Sequence, residues 1–282
     1  MKSFLMITGA TGGLGSAFVL EAARRGYDLL LTDQTQEGES FADRLVENYN
    51  IRVIYHSCDL TDDGAREKFL YGLKNDGHKF WGLINVAGLD YEGGFLTRNR
   101  VQILKILQIN ILATMDITHG ILALRDADQR FRLVNVCSMA GFYPMPYKAT
   151  YSASKRFLLD FSCALREEIK SFGSVTALCP SGIPTTVECM RSIFAQGFWG
   201  LITSINPEDI AHMAMKAALK GRSIVIPGWI NRYIHAISTL VPQSLAIKYV
   251  AKRWKYVQKK LEDQNNFIQT HSVPCTSLVE RN

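Results

Sequence analysis

The first 230 residues alternate short, almost wholly apolar segments with longer amphipathic ones. Because strands buried on both faces of a sheet are continuously apolar, the short segments predict β-strands at 3–8, 28–32, 51–56, 82–85, 132–137, 174–179 and 222–226. The longer segments predict helices at 14–25, 40–50, 62–75, 98–124, 151–172 and 207–219. Strands that alternate with helices form βαβ units with parallel strands. The pattern therefore predicts a doubly wound α/β fold, with a mostly parallel seven-stranded sheet and helices on both faces.

Composition and charge narrow the class of protein. The chain has 282 residues, of which 47% are hydrophobic and 21% charged, so it has ample apolar surface for a folded core. Its net charge of +6 equals the cations of one short stretch, namely Lys248, Lys252, Arg253, Lys255, Lys259 and Lys260. The rest of the chain is close to neutral, which argues against a nucleic-acid-binding protein. The cysteines show no metal-site spacing, and we expect reduced thiols in a cytoplasmic protein.

A glycine-rich loop follows the first predicted strand and opens the first predicted helix. Residues 8–15 read Thr-Gly-Ala-Thr-Gly-Gly-Leu-Gly. Glycines in such a loop allow a tight turn and let the backbone approach a pyrophosphate, while the helix N-terminus offers N–H groups to the phosphates. The strand before and the helix after distinguish this loop from an ordinary turn. The loop therefore predicts a Rossmann-type dinucleotide site that includes Gly9, Thr11, Gly13, Leu14 and Gly15.

An acidic residue ends the second predicted strand. Asp33 lies about 20 residues beyond the glycines, where a carboxylate can accept the ribose hydroxyls of NAD and would repel the 2′-phosphate of NADP. No Arg or Lys stands at Thr11, Gly12 or Gln34 to hold that phosphate. We therefore expect NAD(H) as the favoured cofactor and NADP(H) as the alternative. The other interpretation of Asp33 is a solvated turn residue.

Tyr151 and Lys155 stand four residues apart and so share one face of a predicted helix. A free tyrosine has a pKa of about 10, but a neighbouring cation stabilises the phenolate and lowers that pKa toward a usable acid–base range. Taken alone, such a pair is usually an amphipathic tyrosine beside a surface lysine. Ser138, however, follows the strand predicted at 132–137, at the edge where open α/β sheets bind their ligands.

These residues belong to a longer series of motifs. After the glycine loop the chain carries Asp59-Leu60, Asn85-Val86-Ala87-Gly88, Asn110, Ser138, Tyr151-x-x-x-Lys155 and Pro180-x-x-x-x-Thr185. In this order the motifs resemble those of the short-chain dehydrogenase/reductase family over about residues 3–230. Two positions depart from the family pattern. Val86 replaces the usual Asn, and Ser181 stands where a glycine normally allows close approach to the nicotinamide.

The resemblance implies contacts with the cofactor. Asp59 and Leu60 would flank the adenine. Asn85, Ala87 and Gly88 would pass beneath the cofactor and brace the sheet. The segment that starts at Pro180 would lie at the nicotinamide, whose carboxamide Ile183 and Thr185 would hold.

The resemblance also implies the catalytic roles. Ser138 would hydrogen-bond the substrate oxygen, and Tyr151 would exchange a proton with that oxygen. Lys155 would bind the nicotinamide ribose and lower the Tyr151 pKa. Asn110 would kink its helix and hold a water in the proton relay. The alternative interpretation takes Asn85 and Asn110 as satisfied buried amides and Ser138 as a loop hydroxyl.

The substrate side is predicted from loop composition. Residues 186–206 would form a lid, in which Phe194, Phe198 and Trp199 are large and apolar. Tyr143 and Met145 would line the opposite approach. Because the lid carries no cluster of cations, we expect an apolar alcohol or ketone rather than a phosphorylated substrate. Alternatively, these aromatic residues pack the lid or a subunit interface.

The chain is expected to divide into three parts. Residues 1–230 would be the dinucleotide-binding catalytic domain, 231–262 a helical extension and 263–282 a disordered tail. Within the extension an apolar stripe recurs at helical spacing over 247–261, with lysines along another face. The stripe would cover the protein core or a partner subunit, or alternatively make weak contact with an anionic membrane surface. The family resemblance implies a homodimer or homotetramer.

Three functions follow from these expectations. The first is an oxidoreductase that transfers a hydride between NAD(H) and an apolar secondary alcohol or ketone, of steroid-like, fatty or aromatic type. The second is an NADPH-dependent ketoreductase or 3-oxoacyl reductase that uses the same residues. The third is a non-catalytic dinucleotide sensor or scaffold, although such proteins usually lack the Tyr or the Lys, and this chain has both.

Overall fold

Seven parallel strands form the central sheet in a computed structural model that describes residues 3–271, with side chains described as far as residue 263. The strands are β1 (Phe4–Thr8), β2 (Leu29–Asp33), β3 (Val53–Ser57), β4 (Phe80–Asn85), β5 (Phe131–Val136), β6 (Gly173–Leu178) and β7 (Ile224–Val225). Their order is β3-β2-β1-β4-β5-β6-β7, and all neighbours are parallel. This confirms the predicted fold class, and each predicted strand overlaps an observed one.

Helices connect the strands and cover the sheet. They are α1 (Gly13–Arg24), α2 (Gly38–Tyr49), α3 (Asp63–Asn75), α4 (Arg100–Leu107), α5 (Thr114–Ala123), α6 (Ala149–Glu168), α7 (Val187–Ala195), α8 (Phe198–Thr203), α9 (Pro207–Leu219), α10 (Trp229–Ser238) and α11 (Gln243–His271). The chain moves outward from β1 in one direction to β3 and then returns to place β4 on the other side of β1. This reversal between β1 and β4 creates a crevice at the carboxyl ends of the strands.

Each face of the sheet has its own apolar core, because alternate side chains of a strand point to opposite faces. On one face Leu5 of β1 belongs to the same buried cluster as Phe18 of α1. On the other face Met6 clusters with Ile117 of α5. Burial of a large apolar side chain stabilises a fold by about 1.5–3 kcal/mol. The two cores therefore hold the edge of the sheet that carries the site residues.

The helix predicted without interruption at 98–124 contains a π-helical segment. Gln108–Ala113 separates α4 from α5. Among the described residues, Arg100–Ala123 is the only helical stretch long and apolar enough to cross a membrane, with a mean hydropathy of 1.3 in its most apolar window. Its Ile117 and Ile121 are fully buried in the core beneath the sheet. The packing therefore identifies a core helix of the α/β fold.

The C-terminal extension consists of α10 and α11. The apolar stripe expected at 247–261 faces the protein, where Trp254 and Val257 are buried against Ala195 of α7 and Met145. Helix α11 also includes residues 263–271, which the sequence analysis assigned to a disordered tail. The chain has no Gly or Pro between residues 243 and 273 to end the helix. Residues 272–282 of the predicted tail lie outside the described residues.

Candidate active site

The predicted site residues gather at the carboxyl edge of the sheet. The glycine loop follows β1, Asn85 ends β4, and Ser138 lies two residues beyond β5. Tyr151 and Lys155 lie in the first turns of α6, which follows the Ser138 loop. The site therefore occupies the crevice where the strand order reverses, as open α/β sheets require.

The glycine loop is so tightly packed that side chains are excluded from it. Gly9 has a φ of +63°, which favours glycine. A Cβ atom on Gly15 would lie 1.8 Å from the Gly9 carbonyl oxygen, and one on Gly13 would lie 2.7 Å from the Thr185 side chain. No side chain caps the first turn of α1, whose N-cap is Gly12. The loop thus presents bare backbone and a helix N-terminus, the features that bind a pyrophosphate.

A Gly15→Ala substitution tests this packing. The added methyl group would collide with a backbone atom, so the loop must shift, and we expect dinucleotide affinity to fall at least tenfold, or about 1.4 kcal/mol. Gly72→Ala in α3 is the matched control, because nothing lies within 4 Å of its added Cβ. Titration with NADH followed by fluorescence measures both affinities. Equal affinity for the two variants would refute the close-packed loop.

The Asp33 carboxylate is bound to the glycine loop. Its Oδ2 accepts hydrogen bonds from the Thr11 backbone N at 2.9 Å and from the Thr11 hydroxyl at 2.6 Å. Its Oδ1 accepts one from the backbone N of Gln34 at 2.8 Å. The sequence analysis assigned Asp33 and Thr11 to the cofactor separately and missed that they contact each other. A carboxylate oxygen can accept two hydrogen bonds, so Oδ1 keeps an acceptor position for a ribose hydroxyl.

The residues expected at the adenine differ in exposure. Asp59 Oδ1 accepts hydrogen bonds from the hydroxyl and the backbone N of Thr61, and these bonds lower the Asp59 pKa. The Leu60 side chain is buried in the core with Leu83. Asp59 can therefore face the cofactor with its side chain, whereas Leu60 can do so only with its main chain.

Asn85 sits in a buried polar network rather than in open contact with solvent. Its Nδ2 donates to Asn135 Oδ1 of β5 and to the Thr118 hydroxyl of α5, both at 2.9 Å. Nδ2 of Asn135 then donates to the Ser162 hydroxyl of α6 at 2.9 Å. Paired buried polar groups fix one arrangement of the elements they join. Asn85 thus braces β4, β5, α5 and α6, as the family resemblance implies.

The chain after Asn85 is held close to the glycine loop. The hydroxyl of Thr8, which the sequence analysis did not single out, accepts hydrogen bonds from the backbone N of Val86 at 3.1 Å and of Ala87 at 3.2 Å. A Cβ on Gly88 would lie 3.1 Å from Asn110 Oδ1 and 3.3 Å from Lys155 Nζ. With Val86 in place of the usual Asn, the main chain at Gly88 still lies next to Lys155.

Ser138, Tyr151 and Lys155 come together at the start of α6, where Lys155 is buried and the other two are half-buried. The Ser138 hydroxyl lies close enough to the Tyr151 phenol to lower its pKa, and Lys155 Nζ lies 5.7 Å from the centre of the Tyr151 ring. Lys155 Nζ also donates to the backbone O of Val136 at 2.8 Å. Burial raises the Tyr151 pKa above its usual value, against the Ser138 hydrogen bond, which lowers it. Burial also lowers the Lys155 pKa. The phenol is therefore a proton donor at neutral pH when no cofactor is bound.

Asn110 lies in the π-helical segment and is fully buried. Its Oδ1 accepts from the backbone N of Leu89 at 2.8 Å, while its Nδ2 donates to the Leu89 carbonyl and to the Ser154 hydroxyl, both at 3.0 Å. The amide thus fixes the chain after Gly88 against α6. Both of its N–H groups are used by the protein, so a water of the expected proton relay would need a different donor.

The segment expected at the nicotinamide also meets the glycine loop. Pro180 O accepts a hydrogen bond from the backbone N of Met139 at 2.8 Å, and Thr185 lies against Gly13. A Cβ on Gly182 would lie 3.2 Å from the Ile193 side chain of α7. Because residue 182 is a glycine, the segment that contains Ile183 can lie against the lid.

The predicted substrate residues are not gathered around the phenol. The Tyr143 hydroxyl hydrogen-bonds Ser238 and, at 3.1 Å, His235 Nδ1, so it holds α10. Met145 packs with Trp254 of α11. The side chains of Phe194, Phe198 and Trp199 are 59%, 69% and 49% exposed. Loop composition could not show that these three side chains point outward.

A cleft beside the start of α6 has other lining residues. Tyr91, Gly93, Phe95, Arg98, Gln102, Ile103, Ile106, Tyr147, Lys148, Ala149 and Thr150 line it. Neither the three aromatic residues of the predicted lid nor Tyr143 and Met145 line it, and their part in substrate binding stays a prediction. The cleft borders α4 and the loop after β4, two segments that the sequence analysis did not assign to the substrate side.

Three charged side chains that the sequence analysis missed lie beside Tyr151. Lys148 Nζ is 2.5 Å from Asp90 Oδ2 and 2.6 Å from Glu92 Oε1. It lies 5.6 Å from the ring centre of Tyr151 and 4.9 Å from that of Trp254. We call Asp90, Glu92 and Lys148 the Lys148 cluster. The sequence does carry one sign of this contact. Lys148 precedes Tyr151 by three residues, so the two residues lie on the same side of the helix.

The Lys148 cluster joins parts of the chain that are far apart in sequence. Glu92 Oε1 also accepts a hydrogen bond at 2.9 Å from the hydroxyl of Ser192, which lies in α7 of the lid. Burial by itself would lower the Lys148 pKa, but the two carboxylates outweigh it and raise that pKa. Burial raises the Asp90 pKa in spite of the lysine. The cluster therefore anchors the lid and α11 beside the phenol and keeps Lys148 charged.

The family model described as short chain dehydrogenase matches residues 3–196. The chain belongs to this family. It is similar to the very-long-chain 3-oxoacyl-CoA reductase of Phaeosphaeria nodorum (strain SN15 / ATCC MYA-4574 / FGSC 10173), with 30% identity over 189 residues, 65% of this chain and 55% of that protein. The chain spans about half the length of the first curated relatives that it matches.

Two solved structures of the short-chain dehydrogenase fold illustrate the likeness. One is the bulky-bulky ketone specific alcohol dehydrogenase from Comamonas testosteroni, with a TM-score of 0.69, 22% identity, and coverage of 97% of this chain and 96% of that chain. The other is a short-chain dehydrogenase from Sphingobium yanoikuyae in complex with NADPH, with a TM-score of 0.68, 21% identity, and coverage of 99% and 100%. Both show the same fold.

A nicotinamide dinucleotide, the cofactor of this short-chain dehydrogenase family, fits the residues present. The glycine loop and Gly88 leave the backbone bare where a Cβ would strike neighbouring atoms. Asp33 and Asp59 keep acceptor positions at the ends of β2 and β3. Thr185 lies across the loop from them, against Gly13. The residues present can therefore hold NAD(H) or NADP(H).

Proposed function

We propose that this protein interconverts an apolar secondary alcohol and its ketone with NAD(H). The observation that carries the proposal is the group of Ser138, Tyr151 and Lys155 beside a glycine loop that side chains do not fill. A non-catalytic dinucleotide sensor would not need a phenol with a hydrogen-bonding serine and a buried lysine. The sensor is therefore the weaker candidate, and turnover of any alcohol or ketone would exclude it.

The residues divide the chemistry among them. The Ser138 hydroxyl holds the substrate oxygen, and Tyr151 gives a proton to that oxygen during reduction or takes it during oxidation. The cofactor supplies or accepts the hydride. Lys155 adds a positive charge that stabilises the phenolate. Burial raises the Tyr151 pKa, so the phenol without cofactor holds the proton that reduction of a ketone would use.

The proposed preference for NAD(H) rests on Asp33. Its charge is held at the loop by Thr11, and in the part of the chain that the structure describes it forms no salt bridge. A carboxylate placed there repels a 2′-phosphate. We expect NADH to bind at least about tenfold more tightly than NADPH. The substitution Asp33→Ala should bring the affinities for the two nucleotides closer together.

Fluorescence titration of the two nucleotides measures this ratio. Asp43→Ala on exposed α2 is the control, because it removes an equal charge away from the loop and should leave the ratio unchanged. A wild-type protein that prefers NADPH would show that the cofactor assignment is wrong.

Reduction of a 3-oxoacyl thioester with NADPH is the second candidate, and the name of the Phaeosphaeria relative favours it. The sequence similarity behind this candidate covers the part of that relative which this chain spans. Assays with 3-oxoacyl thioesters and with bulky ketones, each with NADH and NADPH, separate the candidates. Turnover of thioesters alone, with NADPH, would replace the first proposal by the second.

We also propose that the protein forms a homodimer or homotetramer. Apolar side chains on α4, the π-helical segment and α5 support this, since Val101, Leu112 and Met115 are exposed. Exposed apolar residues on neighbouring helices are typical of subunit interfaces. Sedimentation of the purified protein measures its mass, and a monomer at micromolar concentration would contradict the proposal.

A further inference from the structure

Helix α10 has its polar side turned inward and its apolar side turned outward. Asn231 is buried and donates to the backbone O of Thr203 and of Pro227, while His235 and Ser238 both contact the Tyr143 hydroxyl. The opposite side carries Trp229, Tyr233 and Ile237, which are 71%, 64% and 45% exposed, and Leu240, which follows the helix, is 83% exposed. A surface helix in water normally shows the reverse arrangement. Because the inward hydrogen bonds fix the helix, it cannot rotate to bury its apolar side.

The exposed apolar surface continues beyond α10. Helix α8 packs beside α10, and its Phe198 and Trp199 are exposed. Leu245 and Tyr249, at the start of α11, are exposed as well. We call these residues of α8, α10 and early α11 the apolar surface. Contiguous apolar patches of this kind mark interaction sites.

The charged residues of the segment 210–261, which carries α10 and early α11, all have one sign. No Asp or Glu occurs between residues 210 and 261. Arg232 is exposed on α10, and Lys248, Lys252, Lys255 and Lys259 are exposed along α11. A partner that fits must be apolar and must carry negative charge. An anionic lipid surface has both properties, and aromatic side chains flanked by cations suit its headgroup region.

We propose that the apolar surface docks the protein on an anionic lipid bilayer. The membrane contact expected from the sequence used the apolar stripe at 247–261, which is buried against α7. The structure thus assigns the contact to α10, and the lysines of α11 act from the side. A second copy of the chain fits the same surface less well, because it would bring its own cations against these ones. The surface includes α8 of the lid, so docking would open the lid region toward lipid.

Vesicle flotation of the full-length protein tests the proposal. We expect most of the protein to float with vesicles of phosphatidylcholine and phosphatidylglycerol at 7:3 in low salt. With vesicles of phosphatidylcholine alone, the fraction that floats should be roughly tenfold smaller. The variant Trp229→Ser/Tyr233→Ser/Ile237→Ser should lose at least tenfold in partitioning. The control Val46→Ser/Tyr71→Ser removes exposed apolar groups on α2 and α3 and should bind like wild type. Circular dichroism confirms that each variant is folded.

Several outcomes would overturn the proposal. Failure of the wild type to float with anionic vesicles in low salt would do so, as would equal flotation of the triple variant and the control. Sedimentation of the wild type and the triple variant without lipid tests the rival occupant. If the triple variant loses an oligomer that the wild type forms, and neither floats, then a second copy covers the apolar surface.

Discussion

Replacing Tyr151 with phenylalanine is expected to lower the turnover number by roughly 10³-fold. The phenol is the proton donor that contacts Ser138, and phenylalanine keeps the ring but removes the proton. Dinucleotide binding should be nearly unchanged, because the glycine loop, Asp33 and Lys155 remain. Steady-state kinetics and an NADH titration on the same preparation separate the two effects.

Tyr143→Phe is the matched control for this experiment. The Tyr143 hydroxyl contacts His235 and Ser238 on α10 and is therefore not part of the proton transfer. We expect this variant to retain most of its turnover. If Tyr151→Phe kept the turnover of the wild type, Tyr151 would have no catalytic role and the proposed function would fail.

A Lys148→Met substitution is expected to lower the free energy of unfolding by about 3 kcal/mol, the low end of the cost of breaking a buried ion pair. It would leave Asp90 and Glu92 close together without their cation, in a site where Lys148 is largely buried. We use the low end because both carboxylates keep some contact with solvent. Urea unfolding measures the change.

Two further variants show whether the ion pairs cause that loss. Lys170→Met removes an exposed lysine from its pair with Glu167 and should leave stability unchanged within the error of the measurement. Adding Asp90→Asn and Glu92→Gln to Lys148→Met removes the uncompensated charges and should restore part of the stability. A loss that the added amides do not reduce would show that packing, and not charge, explains the effect.

The same substitution should also move the pH profile. With Lys148 absent, the negative charge of Asp90 raises the Tyr151 pKa further, because the lysine no longer opposes it. Oxidation of an alcohol needs the deprotonated phenol. The rise of its rate with pH should therefore shift to higher pH in Lys148→Met, and a shift to lower pH would contradict the role of the cluster.

The fold could be predicted from the sequence because parallel strands leave a simple signature. Strands such as β1, β2 and β5 are mostly apolar, and short connections separate them from periodic helices. The family resemblance implies a kink at Asn110, which lies in the π-helical segment Gln108–Ala113, but the apolar pattern gives no sign of it, since these residues continue the pattern of α4 and α5. Likewise, the spacing of apolar residues in α10 shows that one side is apolar but not which way that side faces.

The site, like the fold, could be predicted from the sequence only in part. Tyr151, Lys155 and Ser138 belong to a motif order, and the structure brings them together. The spacing of Lys148 and Tyr151 is visible in the sequence, but the contacts of Lys148 with Asp90 and Glu92 depend on the fold, so no local pattern marks those two residues. The exposed positions of Phe194, Phe198 and Trp199 also depend on how the lid packs against α11.

The position of Trp254 has a consequence for protein synthesis. Its ring lies 4.9 Å from the Lys148 ammonium, yet it follows every other residue of the site along the chain. During translation the sheet, the glycine loop and α6 leave the ribosome before α11 does. We therefore expect a nascent chain to acquire its nucleotide site first and to complete the surroundings of its phenol only after α11 has left the ribosome.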